Sequence, residues 1–106
     1  MAADLHEEGA TCWWLATLGR TIVWARLRVR DAGTAEVFDS DGNTLVYDSE
    51  DSARAALMDA EFVEYEGLDR EDATDRGFDL DEITPPDAET DEGLRTLMVR
   101  QLPPRH

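Results

Sequence analysis

An α+β fold is what this sequence predicts: an antiparallel β-meander of four to six strands, one packed helix at about residues 50–60, and a short acidic helix at about 70–76. Three observations carry that expectation. Residues 21–30, TIVWARLRVR, alternate with period two, the spacing at which successive strand side chains face opposite ways. Asp41-Gly42 lies between two β-rich runs, and Gly there supplies the positive φ that a tight hairpin needs. Ala53, Ala56, Leu57 and Ala60 recur at helical spacing behind Ser49, a good N-cap residue.

Each element follows in order. Residues 1–10 are polar and expected to be loose. Residues 11–18, TCWWLATL, are rich in β-formers and end at Gly19-Arg20, short enough to turn a hairpin into the strand at 21–30. In that strand Val23, Ala25, Leu27 and Val29 share one face; Trp24, Arg26, Arg28 and Arg30 share the other. Asp31-Ala32-Gly33 makes the next turn, residues 34–39 a third strand and 44–48 a fourth. Glu50 and Asp51 fall in the first turn of the helix, where its dipole favours acids. Residues 61–66, EFVEYE, read as a further strand. Asp69 can cap the short helix and Gly77 can end it, while Asp79 can cap one more turn with Leu80 and Ile83 inward. Pro85-Pro86 stops that turn, and residues 85–93 are expected to be a flexible acidic segment. Residues 94–102, LRTLMVRQL, fit a helix or a strand, and a strand is expected.

Length and composition exclude several classes. A chain of 106 residues suits a single domain spanning 1–106. No apolar run approaches the roughly 18 residues that a membrane-spanning helix needs. The N-terminus, MAADLHEEGA, lacks the basic and apolar stretches of a signal peptide, so a cytoplasmic location is expected. Cys12 stands alone, which rules out an intrachain disulfide and a Cys-based zinc site. His6 and His106 lie at opposite ends, unsuited to a shared catalytic or metal centre.

The charge is unevenly placed. There are 25 acids against ten cations, every one of them Arg, for a formal net charge of −15. Residues 59–92 hold fifteen acids and two Arg, a net of −13, whereas residues 1–30 carry +1 and residues 93–106 carry +3. Such a chain repels nucleic acid and anionic lipid, because binding either requires cations against phosphate. It attracts a basic protein, since complementary potentials speed encounter and select partners.

Four features could carry chemistry. Asp39 to Glu50 resembles an EF-hand calcium loop over twelve residues, with acids or amides at positions 1, 3 and 5, Val46 at 8 and Glu50 at 12. Thr44 occupies position 6, where such a loop turns on Gly, and a strand precedes it in place of the entering helix. A hairpin turn accounts for the same residues. Trp24 with Arg26, Arg28 and Arg30 could bind an anion, or form a solvated face paired with acids such as Glu36 or Glu64. Cys12 beside Trp13 and Trp14 reads as a small buried hydrophobe, without the cation or helix terminus that activates a thiol. The acid run lacks a Ser, Cys or His nucleophile within sequence reach.

The functional expectation is a non-enzymatic protein that docks on a basic partner, of the immunity, inhibitor or DNA-mimic type. Its docking surface would comprise Glu64, Glu66, Asp69, Glu71, Asp72, Asp75, Asp79, Asp81 and Glu82. No cofactor and no resident metal is expected. One alternative is a calcium-binding module using the Asp39–Glu50 loop. Another is a domain whose acidity, with Arg in place of Lys, reflects a halophilic or GC-rich organism and no partner.

Overall fold

The computed structural model describes residues 10–30 and 33–104. The stretch expected to be loose at the N-terminus (up to residue 9), Asp31 and Ala32 of the expected turn, and both histidines lie outside the described residues. The architecture is α+β. Strand β1 (Thr11–Leu18) and β2 (Thr21–Val29) pair antiparallel along their whole lengths, followed by β3 (Ala35–Phe38) and β4 (Thr44–Tyr47) in a meander. Helix α1 (Glu50–Asp59) then crosses to the other side of the sheet, where β5 (Val63–Glu64) pairs with β1. A 3-10 turn (Tyr65–Gly67), α2 (Arg70–Asp75), a second 3-10 turn (Leu80–Glu82) and α3 (Asp91–Arg95) lead to β6 (Val99–Gln101). The sheet order is β4-β3-β2-β1-β5, with β6 on the half of β2 that β3 leaves open.

The register explains the packing. Residues opposite each other in an antiparallel pair point the same way, so Trp24, Leu15 and Val63 share one face, and Ala25, Trp14 and Glu64 the other. Helix α1 covers this second face. Its Ala53 and Leu57 close over Cys12, Trp14, Ala25, Leu27, Ala35 and Val37. Across the sheet, Leu15, Ile22, Trp24 and Phe38 are buried beneath Ala73, Phe78, Ile83, Leu94, Met98 and Leu102. The acidic half of the chain is therefore the cover of a core, apolar residues inward and acids outward. Trp24 stands edge-on to Trp13 at 6.0 Å and to Tyr65 at 5.5 Å. Each such large apolar side chain, fully buried, contributes on the order of 1.5–3 kcal/mol.

Caps set the helix ends. Ser49 accepts the Ser52 amide at 3.1 Å to start α1. Asp69 accepts the Asp72 amide at 2.8 Å, and Asp72 accepts the Asp69 amide in return, a capping box on α2. Thr90 accepts the Gly93 amide at 3.0 Å to start α3. Helix α1 ends with Glu61 in the left-handed region, φ 69°. Its amide donates to Met58 and that of Phe62 to Leu57, a Schellman arrangement that favours Gly where Glu61 stands.

Three expectations are corrected. Residues 61–66 are not a full strand: only Val63 and Glu64 pair, because the chain spends Glu61 and Phe62 closing α1 and coils at Tyr65. Residues 94–102 are not one strand: Leu94 and Arg95 end α3, which begins inside the segment expected to be flexible, and pairing is confined to Val99–Gln101. Nor is the Trp24 half of its face solvated: Trp24 is 2% and Arg26 6% exposed, since residues 73–102 lie over it, whereas Arg28 and Arg30 keep contact with solvent. Among the described residues no helix is long and apolar enough to cross a membrane.

Candidate functional site

The nine acids proposed from sequence divide by what they touch. Glu64 is turned into the molecule, where its carboxylate accepts from Arg54 at 3.0 Å and from the Cys12 thiol at 2.8 Å. Glu82 accepts from Arg20 at 2.7 Å and from the Asp79 amide at 2.9 Å. Asp69 and Asp72 cap α2, and Asp81 pairs with Arg70 at 3.3 Å. These five, with Asp79, are engaged within the molecule. Glu66, Glu71 and Asp75 are exposed. Glu71 and Asp75 are one turn apart on α2 and share its outer face, opposite buried Ala73. The sequence placed all nine on one surface; among the described residues these three make no side-chain cap or ion pair, and Glu71 lies in the first turn of α2.

The Arg stripe is consumed internally. Arg26 reaches Asp91 on α3 at 3.1 Å and lies over the Phe38 ring at 5.0 Å, and its Nε has no hydrogen-bond partner. The guanidinium holds the Asp91 carboxyl below the usual carboxylate range, chiefly through their hydrogen bond. Glu36, nearly buried, pairs with Arg30 at 2.8 Å and with Arg28 at 3.8 Å, the cross-strand pairing expected for a neutralised face. Glu64 takes Arg54 and none of these.

The calcium-like stretch is a hairpin turn followed by β4 and a helix start. Asp39 accepts the Asp41 and Asn43 amides at 3.0 Å, and Gly42 sits at φ 88°. A Cβ at Gly42 would lie 2.8 Å from Cδ of Arg95, so a cationic side chain packs on the turn. Glu50 is in α1 and interacts with Arg54 at 3.9 Å. Among the described residues no group of three or more His, Cys, Asp or Glu is placed to hold a metal ion.

Cys12, Trp14, Arg54 and Glu64 form a polar knot between β1, β5 and α1. Burial, the hydrogen bond to Glu64 and that carboxylate's charge push the Cys12 thiol up to about 12. Glu64 in turn raises the Arg54 pKa, first through their hydrogen bond. Arg54 lies over the Trp14 ring at 5.1 Å. A thiol so raised is a poor nucleophile.

One concavity escaped the sequence reading. A groove of about 640 Å³ lies where α1 ends, lined by Ala16, Leu18, Val23, Met58 and Phe62, with Glu61 and Arg76 among its remaining walls. Leu18 is 78% and Met58 57% exposed. Met58 offered the one available signal: it is an apolar residue off the 53/56/57/60 stripe that packs on the sheet. Comparison with protein-family models, with curated proteins and with solved structures returns no match for this chain.

Proposed function

We propose that this chain is a non-enzymatic cytoplasmic interaction protein that docks on a basic protein partner, in the manner of an immunity protein, an inhibitor or a DNA mimic. The observation that carries the reading is the outer face of α2. Glu71 and Asp75 are like charges at i and i+4, an arrangement that weakens a helix. Asp75 also stands in the last turn, which holds no basic residue of its own before Arg76 at the C-cap and where the helix dipole disfavours an acid. Glu66, in the turn before α2, adds a third exposed carboxylate. Among the described residues none of the three serves a side-chain cap or an ion pair, and Asp75 stands where an acid costs local stability, which is what a charge kept for a partner looks like.

A second reading has its own observation. Asp41, Asp48, Asp51, Asp59, Asp87, Glu89 and Glu92 are also exposed, on many elements, as in a general acidic coat that aids solubility. One experiment separates the two. The triple variant Glu66→Arg, Glu71→Arg, Asp75→Arg spares the capping pair Asp69 and Asp72, so the fold is kept. Affinity capture from native lysate at rising salt, with wild type and variant, is the measurement. Docking predicts a basic protein that is retained by the wild type, lost by the variant, and associates more slowly as salt rises. Equal recovery by both proteins assigns the charge to the coat.

A further inference from the structure

We propose that the groove at the end of α1 seats the apolar side chains of a cationic amphipathic segment of another protein. The inference rests on the basic-partner reading and says where that partner is anchored. The groove floor is the sheet face that α1 leaves uncovered: Ala16 and Val23, neighbours across β1 and β2, with Leu18 and Met58 standing exposed at its sides. Val99, opposite Val23 on β6 and 52% exposed, continues the apolar surface along the same face. An apolar patch within a polar surface is a place where proteins meet, and an exposed Met adapts its shape to what it touches.

Charge selects the occupant. A second copy would bring a net charge of −15 against another −15, and the electrostatic cost falls on that pairing. Glu61 lines the groove in a left-handed backbone conformation where Gly would be unstrained, so the chain accepts strain to keep an acid there. Asp59 precedes it nearby. On the α2 side the groove is reached by Arg76, the C-cap residue that follows Asp75. A segment with aliphatic side chains on one face and Lys or Arg around them meets both the apolar walls and the acids.

Three synthetic amphipathic helical peptides test this against protein carrying labelled methyl groups: one of Leu and Lys, one with each Leu replaced by Ser, and one with each Lys replaced by Glu. The Leu/Lys peptide is expected to shift the Met58 and Leu18 methyl resonances. Its affinity should fall about tenfold with the Ser/Lys peptide and again with Leu18→Ser or Met58→Ser, the loss that truncating an anchor brings. Both substitutions are at exposed positions, and unchanged methyl resonances of buried Ile22 and Met98 certify the fold. Equal binding of the Ser/Lys peptide, with shifts confined to α2, overturns the groove and leaves the docking reading standing. Groove binding by the Leu/Glu peptide as tight as by Leu/Lys overturns the cationic occupant. Absence of shifts with either cationic peptide overturns both readings. Shifts of Leu18 and Met58 that grow with protein concentration alone make the groove an interface between copies and overturn the proposal.

Discussion

At the scale of single residues the polar groups inside the molecule set the testable chemistry. Cys12 was legible as a buried small residue from its place between β-formers, but the carboxylate it donates to, fifty-two positions away, was not. Its folded pKa of about 12 lies above the ordinary 9.0, so folding favours the neutral thiol. The stability this provides is complete below about pH 9 and is lost as pH rises toward 12. Denaturant melts across that window should therefore show a decline that is shallower in Cys12→Ala. At pH 8 the native thiol should resist iodoacetamide and react only once the chain is unfolded. Arg26 makes a different point. Period-two alternation put it on a face with other arginines, and nothing local tells a strand that residues 73–102 will return to cover that face. Its guanidinium is buried with Nε unpartnered, whereas Asp91 is largely exposed. Removing the buried charge and removing its partner should thus differ in sign or size. Arg26→Met should leave stability within about 1 kcal/mol of wild type, since a hydrophobe replaces a poorly satisfied ion. Asp91→Ala, which strands the charge, should destabilise more in the same urea titration. The reverse order would show that Arg26 is retained for stability.

Elements were legible where the local signal was long and lost where it was short. β1 to β4 and α1 are runs whose period is set by their own residues and whose ends carry Gly or a cap. β5 and β6, two and three residues long, exist only because β1 and β2 offer open edges, and a pairing made by the partner leaves little mark in the sequence. α3 was missed because Thr90 caps a stretch whose acids suggested disorder. What fastens these late elements to the sheet is Arg20, at the β1–β2 turn. It donates to Glu82, to the Gly77 carbonyl at 2.7 Å and to the Pro103 carbonyl at 2.8 Å. Arg20→Ala should cost on the order of 2–3 kcal/mol, the value of the charge-assisted hydrogen bonds lost, of which those to Glu82 and Gly77 are partly buried. Amide exchange should speed up first in residues 77–83 and 99–102, while α1 on the opposite face stays protected; uniform acceleration would mean that the cover is not a separate unit. The end of α1 gives an opposite expectation. Glu61 occupies a conformation that costs a side-chain-bearing residue roughly 1 kcal/mol. Glu61→Gly should raise the melting temperature, and an unchanged or lower value would show that the Glu side chain offsets its own strain.

For the whole molecule the issue is how a chain with a net charge of −15 stays folded. The sequence made the excess visible but not its division into parts. Described arginines 20, 26, 28, 30, 54 and 70 are committed to Glu82, Asp91, Glu36, Glu64 and Asp81. Added salt weakens the exposed pairs among these, such as Arg70 with Asp81, and such pairs contribute only about 0–1 kcal/mol each. Partly buried pairs such as Arg54 with Glu64 are screened less. Against them stand the exposed acids of the loops and of the outer faces of α1 and α2, which repel one another over distances that salt reaches. The Debye length falls from about 30 Å at 0.01 M to about 8 Å at 0.15 M and about 3 Å at 1 M ionic strength. Repulsion among many separated charges is removed first, and attraction within close pairs later. Stability should therefore rise with sodium chloride, most steeply below about 0.15 M. A gain of about 1 kcal/mol corresponds to about 4 °C in melting temperature for a domain of this size. Thermal melts from low to high sodium chloride measure it, with sodium sulfate at matched ionic strength to separate screening from strengthened apolar burial. A melting temperature that is flat or falls with sodium chloride would mean that the ion pairs outweigh the excess, and that the acidic coat exerts no net strain on the fold.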